Sequence, residues 1–262
     1  MSRSRRPRPI GAAIYVGLVF AFLFVPLLVM IVFSLHAIPR MSLPFEGFSM
    51  RWYQEIVADT LVMRAFARTA IAAVVTGIVT GILGLAAALG LVNIGSRVRT
   101  MILVAALVPL AFPQLLYAIG LASLYGQLEV GFSLWGTIAG HVVVALPFVF
   151  LVIGAALDRF RFSLLEAASD LGASRARAFW SITLPIILPA VLGAMLLSMA
   201  ISVDEFAIAF FTAGQEKTLP LVMYGRINQG IDPSLNAIGT VLLLVTTGLA
   251  FTAARRTTLE VG

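Results

Sequence analysis

The chain contains no cysteine, and only two of its 262 residues are histidine. Disulfides, thiolate metal sites and a cysteine nucleophile are therefore excluded. His36 and His141 lie far apart in sequence and offer no start to a metal cluster. Two histidines and no cysteine also leave little from which to build a catalytic constellation. Charge is scarce as well. Charged residues make up 11% of the chain, where a soluble domain carries about 25%. No G-x-x-x-x-G-K-S/T phosphate loop is present, so the chain is not itself an ATP-hydrolysing motor. No internal repeat and no low-complexity linker is visible.

What the chain does have is apolar length. It is 60% hydrophobic, which places it in the membrane class before any motif is read. Crossing a bilayer core of ~30 Å takes about 20 residues of helix. Six stretches qualify: Ile10–Ser34, Thr69–Asn93, Thr100–Gln127, Phe132–Leu157, Ala178–Val203 and Pro233–Ala254. The fifth runs on through Phe211 if Asp204 and Glu205 are tolerated within it. The first is too long for a signal-peptide core and has no small-residue cleavage site after it, so it reads as a spanning helix. The expectation is an all-α membrane protein of six transmembrane helices, with residues 1–262 forming a single transmembrane domain.

The net charge of +6 suggests nucleic acid only until its distribution is examined. The basic residues sit between apolar spans, as topology signals do. With the N-terminus in the cytoplasm, twelve arginines fall inside and six basic residues outside. Both termini and the segment 158–185 are then cytoplasmic. Outside, Leu35–Arg68 carries Trp52 and Tyr53, and its Phe48–Ile56 part reads either as a short interfacial helix or as an aromatic interface anchor.

The cytoplasmic segment is not a plain connector. Ser163 and Glu166 have the spacing of a capping box, opening a short helix through Asp170. Gly172 suits the left-handed position that ends a helix. Ser174 can cap a second short helix, Arg175 to Thr183, after which Pro185 and Pro189 restart the chain into the fifth span. Alanines 167 and 168 leave room for close approach of another surface. Glu166-Ala167-Ala168, then Gly172, then Ile182-x-Leu184-Pro185 is similar to the EAA loop of permease subunits of bacterial ABC importers. The likeness covers nearly the whole chain, from the basic N-terminus through six spans.

This resemblance implies a type I ABC importer permease fold with two short cytoplasmic coupling helices. It also implies that Glu166, Ala167, Ala168, Asp170, Gly172, Leu184 and Pro185 seat the loop on a cytoplasmic ATPase. The implied partners are a second permease subunit, different from this one, two cytoplasmic ABC ATPase subunits and an extracytoplasmic substrate-binding protein, in the inner membrane of a bacterial cell. ATP and magnesium would be held by the ATPase, and this chain would bind no cofactor, metal or nucleic acid.

Within the spans, Asp204 and Glu205 lie ~27 Å along the fifth helix from Ile186, past the midplane. Intramembrane carboxylates are costly and face protein or a water-filled cavity. Adjacent helix positions point ~100° apart, so one acid can face a central path while the other pairs with Arg64 or Arg68. Pro109 and Pro113 break the third span, and Gln114 and Tyr117 lie on that stretch, either touching a polar solute or merely flanking a packing kink. Gly77-x-x-x-Gly81 and Gly136-x-x-x-Gly140 are close-packing faces. His141 reads as a hydrogen-bonded packing residue.

The run from Ser202-Val-Asp-Glu-Phe206 through Thr218-Leu-Pro-Leu221, Tyr224 and Asp232–Ala237 resembles the second permease of spermidine/putrescine-type importers. That resemblance implies a polyamine as solute, with an opine or amino-acid derivative as the alternative. A cationic amine suits carboxylates and aromatic faces. An ion-coupled secondary carrier and a membrane-embedded enzyme are the other classes considered. The carrier is opposed by the missing repeat and off-centre acids, and the enzyme by the missing constellation.

Overall fold

The computed structural model describes residues 10–38, 45–92, 94–230 and 233–258. Long uncharged runs become helices here because lipid offers no hydrogen-bond partner to the backbone, which must then satisfy itself within each segment. The order is α1 (Ile10–Phe33), α2 (Arg51–Ala58), α3 (Thr60–Gly90), α4 (Ser96–Ala111), α5 (Gln114–Gln127), α6 (Leu134–Asp158), α7 (Ser163–Asp170), α8 (Arg175–Ala178), a π-helical turn (Phe179–Thr183), α9 (Leu184–Asp204), α10 (Ala207–Thr212), α11 (Leu219–Gln229) and α12 (Ser234–Thr258). Five helical segments are long and apolar enough to span a bilayer, and a sixth span forms if α4 and α5 are counted together. Those two meet at a 94° bend, at Phe112–Pro113. Pro109 stays inside α4, so the break falls at the second proline, before which α-helical backbone is disfavoured.

Two compact units are present. One holds the described residues of Met1–Asp59 and Arg226–Val241; the other holds those of Thr60–Gly225 and Leu242–Gly262. In the first, the chain after α1 folds into a small knot. Trp52 is 3% exposed and its indole N–H donates to the His36 carbonyl at 2.7 Å. The Tyr53 hydroxyl meets Ser34 at 2.7 Å. The Phe48–Ile56 stretch therefore contains a helix, α2, but Trp52 is turned into protein rather than anchoring in lipid. Arg226 pairs with Asp59 and donates to Ser234 at 2.9 Å.

The second unit is built on α3, α6 and α9, which pack against one another. Glycines let them close. A methyl added at Gly81 would stand 2.5 Å from Met195 Cγ, and one at Gly77 would stand 2.6 Å from Met199 Cγ. Thr80 donates to Ser198 at 2.8 Å across the same α3–α9 seam, and Thr137 of α6 meets Thr212 of α10 at 2.9 Å. At one end Leu91, Ile153, Leu157 and Ile187 close an apolar core.

Three boundaries differ from those read in the sequence. The second span begins at Thr60, because Arg64 and Arg68 are exposed or half-buried on its first turns and do not stop a helix. The fifth span ends at Asp204, and residues 207–212 form a separate helix. The Arg175–Thr183 helix does not stop before Pro185. It passes through the π turn straight into α9, forming one stretch Arg175–Asp204. In that turn the Leu184 N–H reaches back five residues to the Phe179 carbonyl. The wider turn accommodates Pro185, which has no N–H to donate.

Candidate functional site

Two regions of the second unit carry the residues singled out above. The first is the loop around Gly172. The α7 helix ends in a Schellman motif: the Gly172 N–H donates to the Ser169 carbonyl at 2.9 Å and the Ala173 N–H to the Ala168 carbonyl at 2.9 Å. Gly172 holds φ at +81°, a conformation that costs any residue with a Cβ. Ser174 then caps α8, accepting from the Arg177 N–H at 3.3 Å. The capping box does not form. Phe162, not Ser163, is the N-cap, and no side chain caps α7. Ser163 has been drawn into the first turn of the helix, which leaves the Glu166 carboxylate exposed.

The loop presents apolar side chains that its own fold does not cover. Leu171 is 89% exposed at the bend and Trp180 is 67% exposed. Ala167 and Asp170 are exposed, and Ala168 is half-buried. Beneath them lies a cleft of about 520 Å³ whose lining includes Leu165, Glu166, Ser169, Arg175, Phe179 and Thr183. Leu184 and Pro185 follow directly, at the start of α9. A projecting bend with an apolar tip and small side chains beside it is a surface suited to another protein.

The second region is the far end of α9. Asp204 is the last residue of that helix and is exposed. Its carboxylate makes no hydrogen bond or ion pair among the described residues, and that of Glu205 makes none with Arg64 or Arg68. The pairing read from the sequence is thus absent. Glu205 is 6% exposed and its Oε1 accepts from the Ile208 N–H at 3.1 Å. It caps α10, so its charge is spent on a backbone donor at a helix N-terminus. Asp204 has the opposite situation, a negative charge at the negative end of a helix dipole with no compensating cation.

Around this end the fold gathers aromatic rings. Phe206 and Phe210 stand 5.5 Å apart, and Tyr224 lies 5.1 Å from Phe206 and 5.7 Å from Phe210. Phe210 and Tyr224 are both partly exposed, at 48% and 43%. Tyr117 of α5 packs instead against the neighbouring apolar cluster of Ala118, Val144 and Ile208. Gln114 is exposed at the first turn of α5, just past the bend, and is not brought to the acids by any contact among the described residues. Sequence reading missed the aromatic cluster because its members lie on α10, its N-cap and α11, two short helices with no spanning-length signal. Asp232 lies outside the described residues.

The loop is held on the three-helix core, and the opposite end of that core is capped from a distance. The Glu216 carboxylate accepts from the Leu134 N–H at 2.7 Å and the Thr69 hydroxyl accepts from the Leu219 N–H at 2.8 Å. No cluster of three metal-ligating side chains occurs among the described residues.

Known proteins with this arrangement can now be compared. Residues 80–256, more than half of the chain, match the family described as binding-protein-dependent transport system inner membrane component. The spermidine/putrescine transport system permease protein PotC of Haemophilus influenzae is 30% identical over 90% of this chain and 91% of its own length. The putrescine transport system permease protein PotI of Escherichia coli is 32% identical over 86% of this chain and 82% of its own. Among solved structures, a chain of a bacterial ABC transporter involved in import of the acidic polysaccharide alginate superposes with a TM-score of 0.68 at 17% identity, covering 98% of both chains. A chain of the MetNI methionine ABC transporter gives 0.58 at 17% identity, covering 77% of this chain and 99% of that one. The fold is that of type I ABC importer permeases, and the helices are those of a multi-pass inner-membrane protein. The chain belongs to the family of binding-protein-dependent transport system inner membrane components.

Proposed function

We propose that this chain forms half of the translocation path of an ATP-driven importer of polyamines. Its binding partners are a second, non-identical permease, two cytoplasmic ATPase subunits that hold ATP and magnesium, and an extracytoplasmic binding protein that delivers the solute. Both termini and the Ser163–Thr183 loop face the cytoplasm, in line with the twelve-to-six balance of basic residues. The chain itself catalyses no reaction.

The observation that carries the solute class is Asp204. An exposed, unpaired carboxylate at the negative end of α9, beside the Phe206–Phe210–Tyr224 cluster, is a site short of a cation. A protonated amine meets that need with its charge, and its methylene chain suits the rings. The relatives named for spermidine and putrescine transport support the same class. Glu205, occupied with the Ile208 N–H, serves to hold the α9–α10 corner rather than the solute.

In the mechanism, ATP closes the ATPase pair and draws the α7–α8 bends of the two permeases together. Because α8 runs without a break through the π turn into α9, displacement at Gly172 reaches Asp204 along one helical rod. The α4–α5 elbow and the corner at Glu205 are the points where the rod's neighbours can bend. Replacing Asp204 by Asn tests the reading. Uptake of radiolabelled putrescine into proteoliposomes containing the whole complex should need about tenfold more solute for half-saturation. An unaltered half-saturating concentration would move the cation site elsewhere.

A further inference from the structure

His141 is 2% exposed in the middle of α6, where a leucine would pack without any polar cost. Its Nδ1 lies 2.8 Å from Ser202 Oγ, and Ser202 Oγ lies 3.5 Å from Thr76 Oγ1. With the serine hydroxyl donated to Thr76, the ring keeps its proton on Nδ1 and donates to Ser202. Nε2 is then a buried acceptor without a partner among the described residues. The cluster joins all three core helices, α3 through Thr76, α6 through His141 and α9 through Ser202.

Its position along α9 is informative. Ser202 is in the last turn of the helix, two residues before Asp204, and the helix ends immediately after. The final turns of a helix fray unless they are tied. A rung one turn earlier, Thr80 to Ser198 at 2.8 Å, already fixes the register of α9 against α3. That rung does not reach α6, so the His141 bond adds a separate tie, from α6 to the terminal turn of α9. Glu205 fixes the other side of the same corner by capping α10.

We propose that His141 is a positioning residue for the cation site: by holding Ser202 it sets the direction in which Asp204 leaves α9. This rests on the reading of Asp204 as that site. His141 touches no solute in this account and acts only through the helix end.

The test uses the assembled complex in proteoliposomes, with radiolabelled putrescine as the probe. His141→Leu should raise the half-saturating concentration about tenfold, the range of one lost hydrogen bond, while changing maximal uptake far less. His141→Asn, whose amide can still reach a hydroxyl, should restore most of the affinity. Ser202→Ala should reproduce His141→Leu, and the double variant should be no worse than either single one. Thr80→Val is the comparison for general loosening, since it removes a buried hydroxyl that ties α9 to α3 one turn away. Equal loss of affinity in Thr80→Val, or no rescue by Asn, overturns the proposal. Asp204→Asn separates the two readings. If it weakens putrescine uptake and His141→Leu does not, the positioning role fails and the cation site stands. If Asp204→Asn has no effect, the cation site fails and the positioning role falls with it.

Discussion

At residue scale, a few backbone positions decide what side chains can do. Gly172 holds φ at +81°, and a residue with a Cβ there costs about 1–2 kcal/mol, more when it is β-branched. Gly172→Val should therefore open the Schellman turn and tilt α7 away from α8. ATP hydrolysis by the assembled complex should continue while solute uptake per ATP falls several-fold, measured on the same proteoliposomes. Unchanged coupling would remove the bend from the mechanism. Gly81 makes a different demand, that of space. Its missing Cβ accommodates Met195, and Gly81→Val should destabilise the complex by about 1–3 kcal/mol, seen as a lower midpoint of thermal unfolding in detergent. A wild-type midpoint would mean that the methionine swings aside at no cost.

At the scale of elements, caps supplied from distant chain positions tie the end of the core away from the Gly172 loop. Glu216 lends its carboxylate to the N-terminus of α6, and Thr69 lends its hydroxyl to that of α11. Glu216→Ala should cost about 1 kcal/mol, read as a fall in the unfolding midpoint, and Glu216→Gln should retain much of it. Equal midpoints for Glu216→Ala and the parent chain would show the cap to be idle. Such ties explain what the sequence could and could not disclose. The long spans were legible because an uncharged run of sufficient length has few other fates in lipid. The bend at Gly172 and the cap at Ser174 were legible because turn chemistry is local. The continuous passage from α8 to α9 was not, because a π turn has no composition of its own and two prolines argue for a stop. Asp204 and Glu205 were visible as intramembrane acids, but their separate fates were not. Those depend on Ile208 supplying a backbone donor to one and nothing supplying a cation to the other. The cluster of Phe206, Phe210 and Tyr224 forms only once α10 and α11 fold back, which no periodicity announces.

At the largest scale, the second unit carries a rod with a handle at one end and a charge at the other. The α8–α9 stretch Arg175–Asp204 joins a bend built for a protein surface to a carboxylate built for a cation. Everything depends on which side of the membrane the handle faces and what grips it. The absence of native cysteine makes this directly measurable, because a single introduced thiol has no background. A cysteine placed at Ala167, in the assembled complex within intact spheroplasts and in inside-out vesicles, should react with a membrane-impermeant maleimide only in the vesicles. A short bifunctional reagent should then join it to the ATPase subunit. Labelling from the outer face, or a thiol that reaches no ATPase in a transport-competent complex, would contradict the account.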